Sequence, residues 1–257
     1  MSRDAFLGGR LHLEQLDGGF RAGSDAVLLA AAVPAVPGDR VLDLGCGVGA
    51  AMYCLGARVP GLDLTGVEWD AAAAALARRN GGAEVAEADV TDLPPPLRRQ
   101  WTHVIANPPY FAAGAGSPAR DPAREAALRE AGTGALADWV RVACRRVAPK
   151  GTVTIIARAD RLGEILPAMT SLGDLAVRPI APLADAPAGR VVVQGRLGAK
   201  GPLELLPPLV LHRQRGDGAY AAEAEKILRG MEMLTMRRKP CRGAASKMRD
   251  SGAGGVI

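Results

Sequence analysis

Between residues 40 and 49 the sequence is Arg40-Val41-Leu42-Asp43-Leu44-Gly45-Cys46-Gly47-Val48-Gly49. The apolar first half predicts a buried strand, and the three glycines predict a tight turn that leads into a helix. Because glycine tolerates a positive φ and lets the backbone approach a ligand closely, this turn is a candidate binding loop. The dinucleotide-binding fingerprint places its last glycine later, so the spacing argues against a pyrophosphate cradle.

Acidic residues end the next two predicted strands. The first of these strands spans 62–68 and ends at Glu68, about 20 residues after the glycine-rich turn, where an acid can bind ribose hydroxyls. The second spans 84–88 and is followed by Asp89, whose carboxylate could accept a hydrogen bond from a ligand at the same edge. A turn or helix-cap role for Asp89 fits the sequence equally well.

A fourth predicted strand, 101–106, runs into the tetrapeptide Asn107-Pro108-Pro109-Tyr110. Open α/β sheets bind ligands at the carboxyl ends of their strands. The Asn107 amide oxygen and the Pro108 carbonyl can accept two hydrogen bonds from a planar NH2 group, and the Tyr110 ring can stack on the attached π-system. Since Asn-Pro and Pro-Pro are also common in surface turns, an ordinary turn is the alternative interpretation.

The pattern after the tetrapeptide predicts helices at 135–147, 161–172 and 219–230 and strands at 152–157, 175–183, 190–197 and 203–212. No long helix fits between 183 and 190, so we expect those two strands to form an antiparallel hairpin. The residues 149–151 predict a turn before the strand at 152–157.

The N-terminal segment 1–37 is predicted to contain a short strand at 11–13 and a helix that ends at Val33 before two prolines, with Ser24 as its N-cap. Phe20 and Arg21 precede this helix within a glycine-rich stretch. They are candidates for a lid over a ligand, and an aromatic plug with a surface charge is the alternative.

Composition predicts one α/β domain over 1–236 and a basic, Gly-rich, flexible tail over 237–257. No long apolar span or signal peptide is visible, so we expect a cytoplasmic protein that does not enter a membrane. The four scattered cysteines form no CxxC, and the three histidines stand alone, so we expect no metal site.

The net charge of +5 favours an anionic partner. It is concentrated near the C-terminus, because residues 213–250 contain ten basic and five acidic side chains. This stretch predicts contact with nucleic acid, and a solvated helix face with a loose tail is the alternative.

Three segments, 19–29, 43–49 and 107–111, resemble class I S-adenosyl-L-methionine-dependent methyltransferases with an NPPY motif. Within that class the chain resembles the bacterial valine-tRNA adenine-N6 methyltransferase family, with weaker likeness at 138–139, 149–151 and 190–195. The resemblance implies a Rossmann-like α/β fold, with a mostly parallel seven-stranded sheet that ends in the antiparallel hairpin.

The resemblance also implies a site, a cofactor and a substrate. S-adenosyl-L-methionine would be bound by Asp43, Gly45, Cys46, Gly47, Glu68, Asp89 and Asn107. The target would be the exocyclic N6 amine of an adenine in a structured RNA, on which Asn107, Pro108 and Tyr110 would act. The family resemblance implies that this RNA is a tRNA. The alternatives are methylation of rRNA adenine-N6 or guanine-N2, methylation of a protein glutamine, and RNA binding without catalysis on a degenerate cofactor fold.

Overall fold

The computed structural model describes residues 1–17, 21–109, 136–216 and 218–237. The strands in these ranges are β1 (Ser2–Phe6), β2 (Leu11–Gln15), β3 (Arg40–Leu44), β4 (Asp63–Glu68), β5 (Glu84–Glu87), β6 (Trp101–Ala106), β7 (Val147–Arg158), β8 (Leu172–Ala181), β9 (Arg190–Leu197), β10 (Glu204–Leu205) and β11 (Leu209–Val210). The helices are α1 (Ser24–Ala32), α2 (Ala50–Arg58), α3 (Ala71–Gly81), α4 (Leu136–Arg146), α5 (Leu162–Ala168) and α6 (Ala222–Leu228). No α-helix in these ranges is long and apolar enough to span a bilayer.

The central sheet has the strand order β10-β8-β9-β7-β6-β3-β4-β5, and β11 also pairs with β8. Strands β5, β4, β3, β6 and β7 are parallel, whereas β9 is antiparallel to both β7 and β8. The predicted α/β class and the C-terminal hairpin are therefore confirmed.

The sheet has nine strands, two more than the predicted seven. The additional strands, β10 and β11, contain two residues each and come from the predicted edge strand at 203–212. Pro207 and Pro208 lie between them. Because proline has no N–H to donate to a strand ladder, it divides this edge into two short pieces.

Helices cover both faces of the sheet, and each face has its own apolar core. Strand β3 contributes to both cores, because Val41 belongs to the core with α1 and α2, while Leu42 and Leu44 belong to the core with α4 and α5. This alternation follows the two-residue period of a strand. It explains why residues 41–44 form a nearly continuous apolar run.

The register of three neighbouring strands fixes where the glycine-rich turn begins. Leu44 of β3 pairs with Val67 of β4 on one side and with Ala106 of β6 on the other. The residues that follow these three positions therefore leave the sheet together at its carboxyl edge. They are Gly45, Glu68 and Asn107.

The N-terminal segment forms an antiparallel hairpin of β1 and β2 before α1 begins, and β1 has no counterpart among the predicted strands. The buried Gln15 side chain accepts from the Ala22 N–H (2.8 Å) and donates to the Ala22 carbonyl (3.2 Å). Arg21 forms an ion pair with Asp4 of β1 at 2.6 Å. Arg21 and Ala22 are thus fastened to the hairpin, while Phe20 lies outside the described residues.

Several predicted helices and strands begin or end at other residues in the structure. Ser24 is the first residue of α1 rather than its cap, and the N-cap is Gly23, which makes no side-chain cap bond. Strand β7 runs through the predicted turn at 149–151, where Lys150 has a φ of 66°. Helix α5 ends at Ala168 instead of 172, because Leu172 joins β8. Helix α6 spans 222–228 within the predicted 219–230.

Candidate active site

The turn after β3 contains three glycines with a positive φ, Gly45, Gly47 and Gly49, and the first two are needed for different reasons. Gly45 has a φ of 68°, and a Cβ at this position would lie 2.5 Å from Cη2 of Trp139 in α4. Gly47 has a φ of 55°, but an added Cβ would meet nothing within 4 Å. Gly45 therefore allows close packing beneath the turn, whereas Gly47 leaves the outer side of the turn open to a ligand.

Glu68 connects the end of β4 to this turn. Its Oε2 accepts from the backbone N–H of Gly47 at 2.7 Å, and its Oε1 accepts from the N–H of Asp70 at 2.9 Å. Burial raises the pKa of this carboxyl above its usual range, and the two hydrogen bonds oppose that shift. A carboxylate has about four lone-pair sites, so the two bonds leave capacity for further donors.

Asp43 lies under the turn and is only 1% exposed. Burial raises its pKa to about 8, the charge of Glu68 adds to the rise, and the backbone N–H of Met52 opposes it. Its Oδ2 makes no hydrogen bond with any residue in the described ranges. Burial thus favours the protonated form of Asp43 over the ionised form, compared with an exposed aspartate.

Cys46 has its hydrogen-bonding groups engaged within the protein. Its N–H donates to Val67 O and its carbonyl accepts from the Gly49 N–H, both at 2.9 Å. The thiol is buried, and a Cβ at Gly66 would lie 2.6 Å from its sulfur. These contacts shape the turn from inside.

Asp89 follows β5 and lies beside the end of β4, because the N–H of Ala88 donates to the Glu68 carbonyl at 3.0 Å. One carboxylate oxygen, Oδ1, accepts from both the N–H (2.6 Å) and the hydroxyl (2.7 Å) of Thr91. The turn role foreseen as the alternative is thus present for that oxygen. The second oxygen, Oδ2, makes no hydrogen bond among the described residues and can accept from a ligand.

Asn107 and Pro108 leave the sheet directly after β6, with Pro108 buried and Asn107 half-buried. Neighbouring strands lie about 4.8 Å apart, so Asn107 and Glu68 emerge roughly 10 Å apart, with Gly45 between them. This separation is wide enough for a nucleoside-sized ligand to lie between Asn107 and Glu68. Tyr110, the third predicted catalytic residue, lies outside the described residues.

Trp69 belongs to this edge and was missed by the sequence reasoning. It is 45% exposed and stands between Glu68 and the helix-capping Asp70. In a chain with 4% aromatic residues, an aromatic side chain directly after the strand-ending acid was the available signal. An exposed indole at this place offers a flat apolar surface to a ring.

The buried His103 is structural. Its Nδ1 lies 2.7 Å from Thr152 Oγ1, and its Nε2 lies 3.0 Å from Asp39 Oδ2. Burial lowers its pKa, against the effect of the Asp39 carboxylate. Within the described ranges, no three His, Cys, Asp or Glu side chains are grouped so that they could hold a metal ion.

Residues 18–161, more than half of the chain, match the family model described as methyltransferase small domain. The chain belongs to the methyltransferase small domain family. It is therefore an enzyme of the methyltransferase class, and the glycine-rich turn and the segment up to Pro109 lie within the matched region.

Curated relatives are named tRNA1(Val) (adenine(37)-N6)-methyltransferase. The Aeromonas hydrophila protein is 32% identical over 162 residues, which cover 61% of this chain and 67% of the relative. The Actinobacillus succinogenes protein is 30% identical over 171 residues, covering 63% and 71%. A Dickeya chrysanthemi relative is 36% identical over 102 residues, covering 37% of this chain and only 40% of that protein.

Two solved structures support the fold. A structure of a predicted O-methyltransferase from Agrobacterium tumefaciens has a TM-score of 0.66 and 27% identity, covering 82% of this chain and 98% of that one. The Thermus thermophilus 16S rRNA N2 G1207 methyltransferase, solved with AdoMet and guanosine, has a TM-score of 0.51 and 20% identity. That alignment covers 76% of this chain and 50% of the Thermus chain.

Proposed function

We propose that this chain uses S-adenosyl-L-methionine to methylate the N6 amine of an adenosine in tRNA. The observation that carries this proposal is the register of three strands, which brings Gly45, Glu68 and Asn107 to one edge. The names of the relatives suggest adenine 37 of a valine tRNA as the target.

The donor groups at the edge fit the cofactor. The open side of Gly47 leaves room for the methionine part, and Glu68 has lone pairs left for two ribose hydroxyls. Oδ2 of Asp89 would accept from the adenine amine, and the exposed Trp69 ring would cover the adenine face. Cys46 would shape the turn rather than contact the cofactor through its thiol. When bound, the cofactor supplies an electrophilic methyl group.

Asn107 and Pro108 would hold the target amine. The Asn107 amide oxygen and the Pro108 carbonyl oxygen would each accept a hydrogen bond from one N–H group of the amine. These two bonds would turn the nitrogen lone pair toward the open side of the glycine turn. These dipoles would also stabilise the positive charge that develops on N6 during methyl transfer, and N6 would then release one proton to solvent. The base must leave its stack to enter the pocket, and we expect the Tyr110 ring to stack on it there.

Acceptor chemistry favours an amine over a hydroxyl substrate. O-methylation requires a base that removes the hydroxyl proton. The Asn107 amide oxygen and the Pro108 carbonyl are neutral hydrogen-bond acceptors and do not act as such a base. The same acceptors suit guanine-N2 and glutamine-N5, because both are planar NH2 groups. The relatives' names separate adenine from these two alternatives.

Nucleoside mass spectrometry tests the proposal. Purified protein would be incubated with isotopically labelled S-adenosyl-L-methionine and with tRNA from a strain that lacks the enzyme, and the tRNA would then be digested to nucleosides. Labelled N6-methyladenosine is the expected product, and it should be absent when the cofactor is left out. Label in N2-methylguanosine, in a 2′-O-methyl nucleoside or in protein glutamine would overturn the substrate assignment.

A further inference from the structure

The loop between β11 and α6 lies at the edge of the sheet that carries Asn107. Strand β11 is parallel to β8, with Val210 opposite Ala181. Since β9 is antiparallel to both β7 and β8, the strands β11, β8, β7 and β6 all run in one direction. The residues after Val210 therefore stand at the carboxyl ends of the strands, on the side of β6 away from the cofactor residues.

Two arginines in this loop differ from the other described cations of the C-terminal stretch. Three of those cations form ion pairs: Lys226 with Glu232 (2.9 Å), Arg229 with Glu225 (2.9 Å) and Arg237 with Asp174 (3.0 Å). Arg213 and Arg215 are exposed and make no hydrogen bond or ion pair within the part of the chain that the structure describes. The basic character predicted from the sequence is thus available to a partner at these two residues.

Acids neutralise the arginines at the neighbouring strand ends. The pairs are Arg158 with Asp160, Arg161 with Glu164, and Arg190 with Asp25. Asp185, in the loop between β8 and β9, is exposed and has no ion pair among the described residues. Its charge opposes that of the two arginines, so its removal is expected to act in the opposite direction.

An aromatic side chain accompanies the two arginines. Tyr220 is 39% exposed, and its ring stacks on His212 with centroids 4.9 Å apart and an interplanar angle of 20°. Tyr220 also lines an open cavity of about 600 Å³, together with Arg3, Gly23 and Ser24. One ring face is thus supported by His212, and Tyr220 borders a cavity large enough to admit a base, which Asp4 and Glu225 also line.

We propose that Arg213, Arg215 and Tyr220 form a binding surface for the RNA strand next to the target nucleotide. The arginines would contact phosphates, and the Tyr220 ring would stack on a base. This inference rests on the proposed RNA methyltransferase function. Nucleic acid is the partner that combines regularly spaced negative charges with flat rings, whereas an acidic peptide would use the arginines and leave the ring unexplained.

The test compares full-length variants in binding to unmodified tRNA at several salt concentrations and in steady-state methylation. Arg213→Ala with Arg215→Ala should weaken tRNA affinity roughly tenfold for each lost arginine contact. The slope of log affinity against log salt should become shallower by about 2. Affinity for S-adenosyl-L-methionine, and turnover at saturating tRNA, should remain near wild type.

Matched control variants distinguish tRNA binding at this surface from a general effect of the net charge. Lys226→Ala removes an exposed cation that is paired with Glu232 and should leave tRNA affinity unchanged. Asp185→Asn should strengthen tRNA binding. Tyr220→Ala should weaken it about 5- to 150-fold, the range measured for base stacking, while Tyr220→Phe retains the ring and should stay close to wild type.

The outcomes distinguish this proposal from the one on which it rests. If wild type methylates tRNA and the double arginine variant keeps both the affinity and the salt slope, the surface assignment is wrong. The same holds if Lys226→Ala is as damaging as the arginine changes. If wild type modifies a protein and no tRNA, the proposed function itself fails, and this surface is not an RNA site.

Discussion

The Oε2 atom of Glu68 accepts a 2.7 Å hydrogen bond from the backbone N–H of Gly47, which fastens the end of β4 to the turn after β3. A residue expected to bind the ribose thus also holds the loop expected to bind the methionine part. Loss of the Glu68 carboxylate should therefore affect both halves of the cofactor site.

Glu68→Ala should weaken binding of S-adenosyl-L-methionine by about 1.5–3 kcal/mol, the scale of hydrogen bonds to a charged group. Glu68→Gln keeps one acceptor oxygen and should lose less. Titration calorimetry measures both. Glu84→Ala removes an exposed acid from the opposite end of the neighbouring strand and serves as the control. Equal cofactor affinity in wild type and Glu68→Ala would show that Glu68 does not contact the ribose.

Gly45→Ala should mainly reduce stability, whereas Gly47→Ala should mainly reduce cofactor binding. Both substitutions place an L-residue in the left-handed region of the backbone, which costs about 1–2 kcal/mol of folding free energy. At Gly45 the new methyl also meets the Trp139 ring, adding roughly 1–3 kcal/mol of overpacking. We expect Gly45→Ala to show the larger fall in melting temperature. Gly47→Ala should fold and lose cofactor binding, and wild-type affinity in that variant would contradict a ligand at the open side of the turn.

Trp69→Ala should weaken cofactor binding by about 1–3 kcal/mol, the range for an aromatic ring stacked on a base. The melting temperature should hardly change, because the indole is 45% exposed. Trp69→Phe should recover most of the affinity. Binding of the cofactor should also quench the fluorescence of Trp69, which a variant lacking this residue would not show. A large loss of stability instead would identify Trp69 as a packing residue.

Asn107→Ala should slow methyl transfer by about 100- to 1,000-fold, the usual effect of removing one preorganised polar group from a reacting centre. Asn107→Asp retains the acceptor and should keep more activity. Single-turnover methylation of tRNA is the measurement, with melting temperature and cofactor affinity recorded alongside. An Asn107→Ala protein that methylates at the wild-type rate, or that unfolds, would show that residues 107–110 are only a structural turn.

Asp43→Asn should flatten the pH dependence of stability. The folded chain keeps the Asp43 proton up to a pKa of about 8, whereas the unfolded chain releases it near 3.8. Folding therefore takes up a proton between these values, and the stability of wild type should fall as pH rises across this window. Urea unfolding across the window compares the two proteins. Parallel profiles would show that Asp43 is ionised in the folded state.

The sequence was sufficient to predict the helices and strands that have a clear hydrophobic pattern or clear turn residues at their ends. Strands β3 and β6 were predicted with their observed ends because apolar runs stop at Gly45 and Asn107. The predictions failed where tertiary packing decides: β1 is stabilised by pairing with β2, and Leu172 leaves a helical pattern to join β8. Neither interaction leaves a local pattern in the sequence.

The site shows the same division. Motif spacing predicted Glu68 and Asn107 as site residues, and the strand registers place both at one edge of the sheet. It could not show that the Cys46 thiol lies under the turn, because the direction of that side chain depends on Gly66 in another strand. Nor could it separate Arg213 and Arg215 from a paired cation such as Arg237, whose partner Asp174 is 63 residues away in the sequence.

The strand order also bears on how this enzyme can be redesigned. The turn after β3 and the ends of β4 and β5 lie on one side of β6, whereas the loops after β7, β8 and β11 lie on the other. Exchanging those latter loops for loops from a relative would leave the registers of Leu44 with Val67 and Ala106 untouched. We therefore expect that grafting these loops would change the proposed RNA target, while the strand ends proposed to hold the methyl donor would be retained.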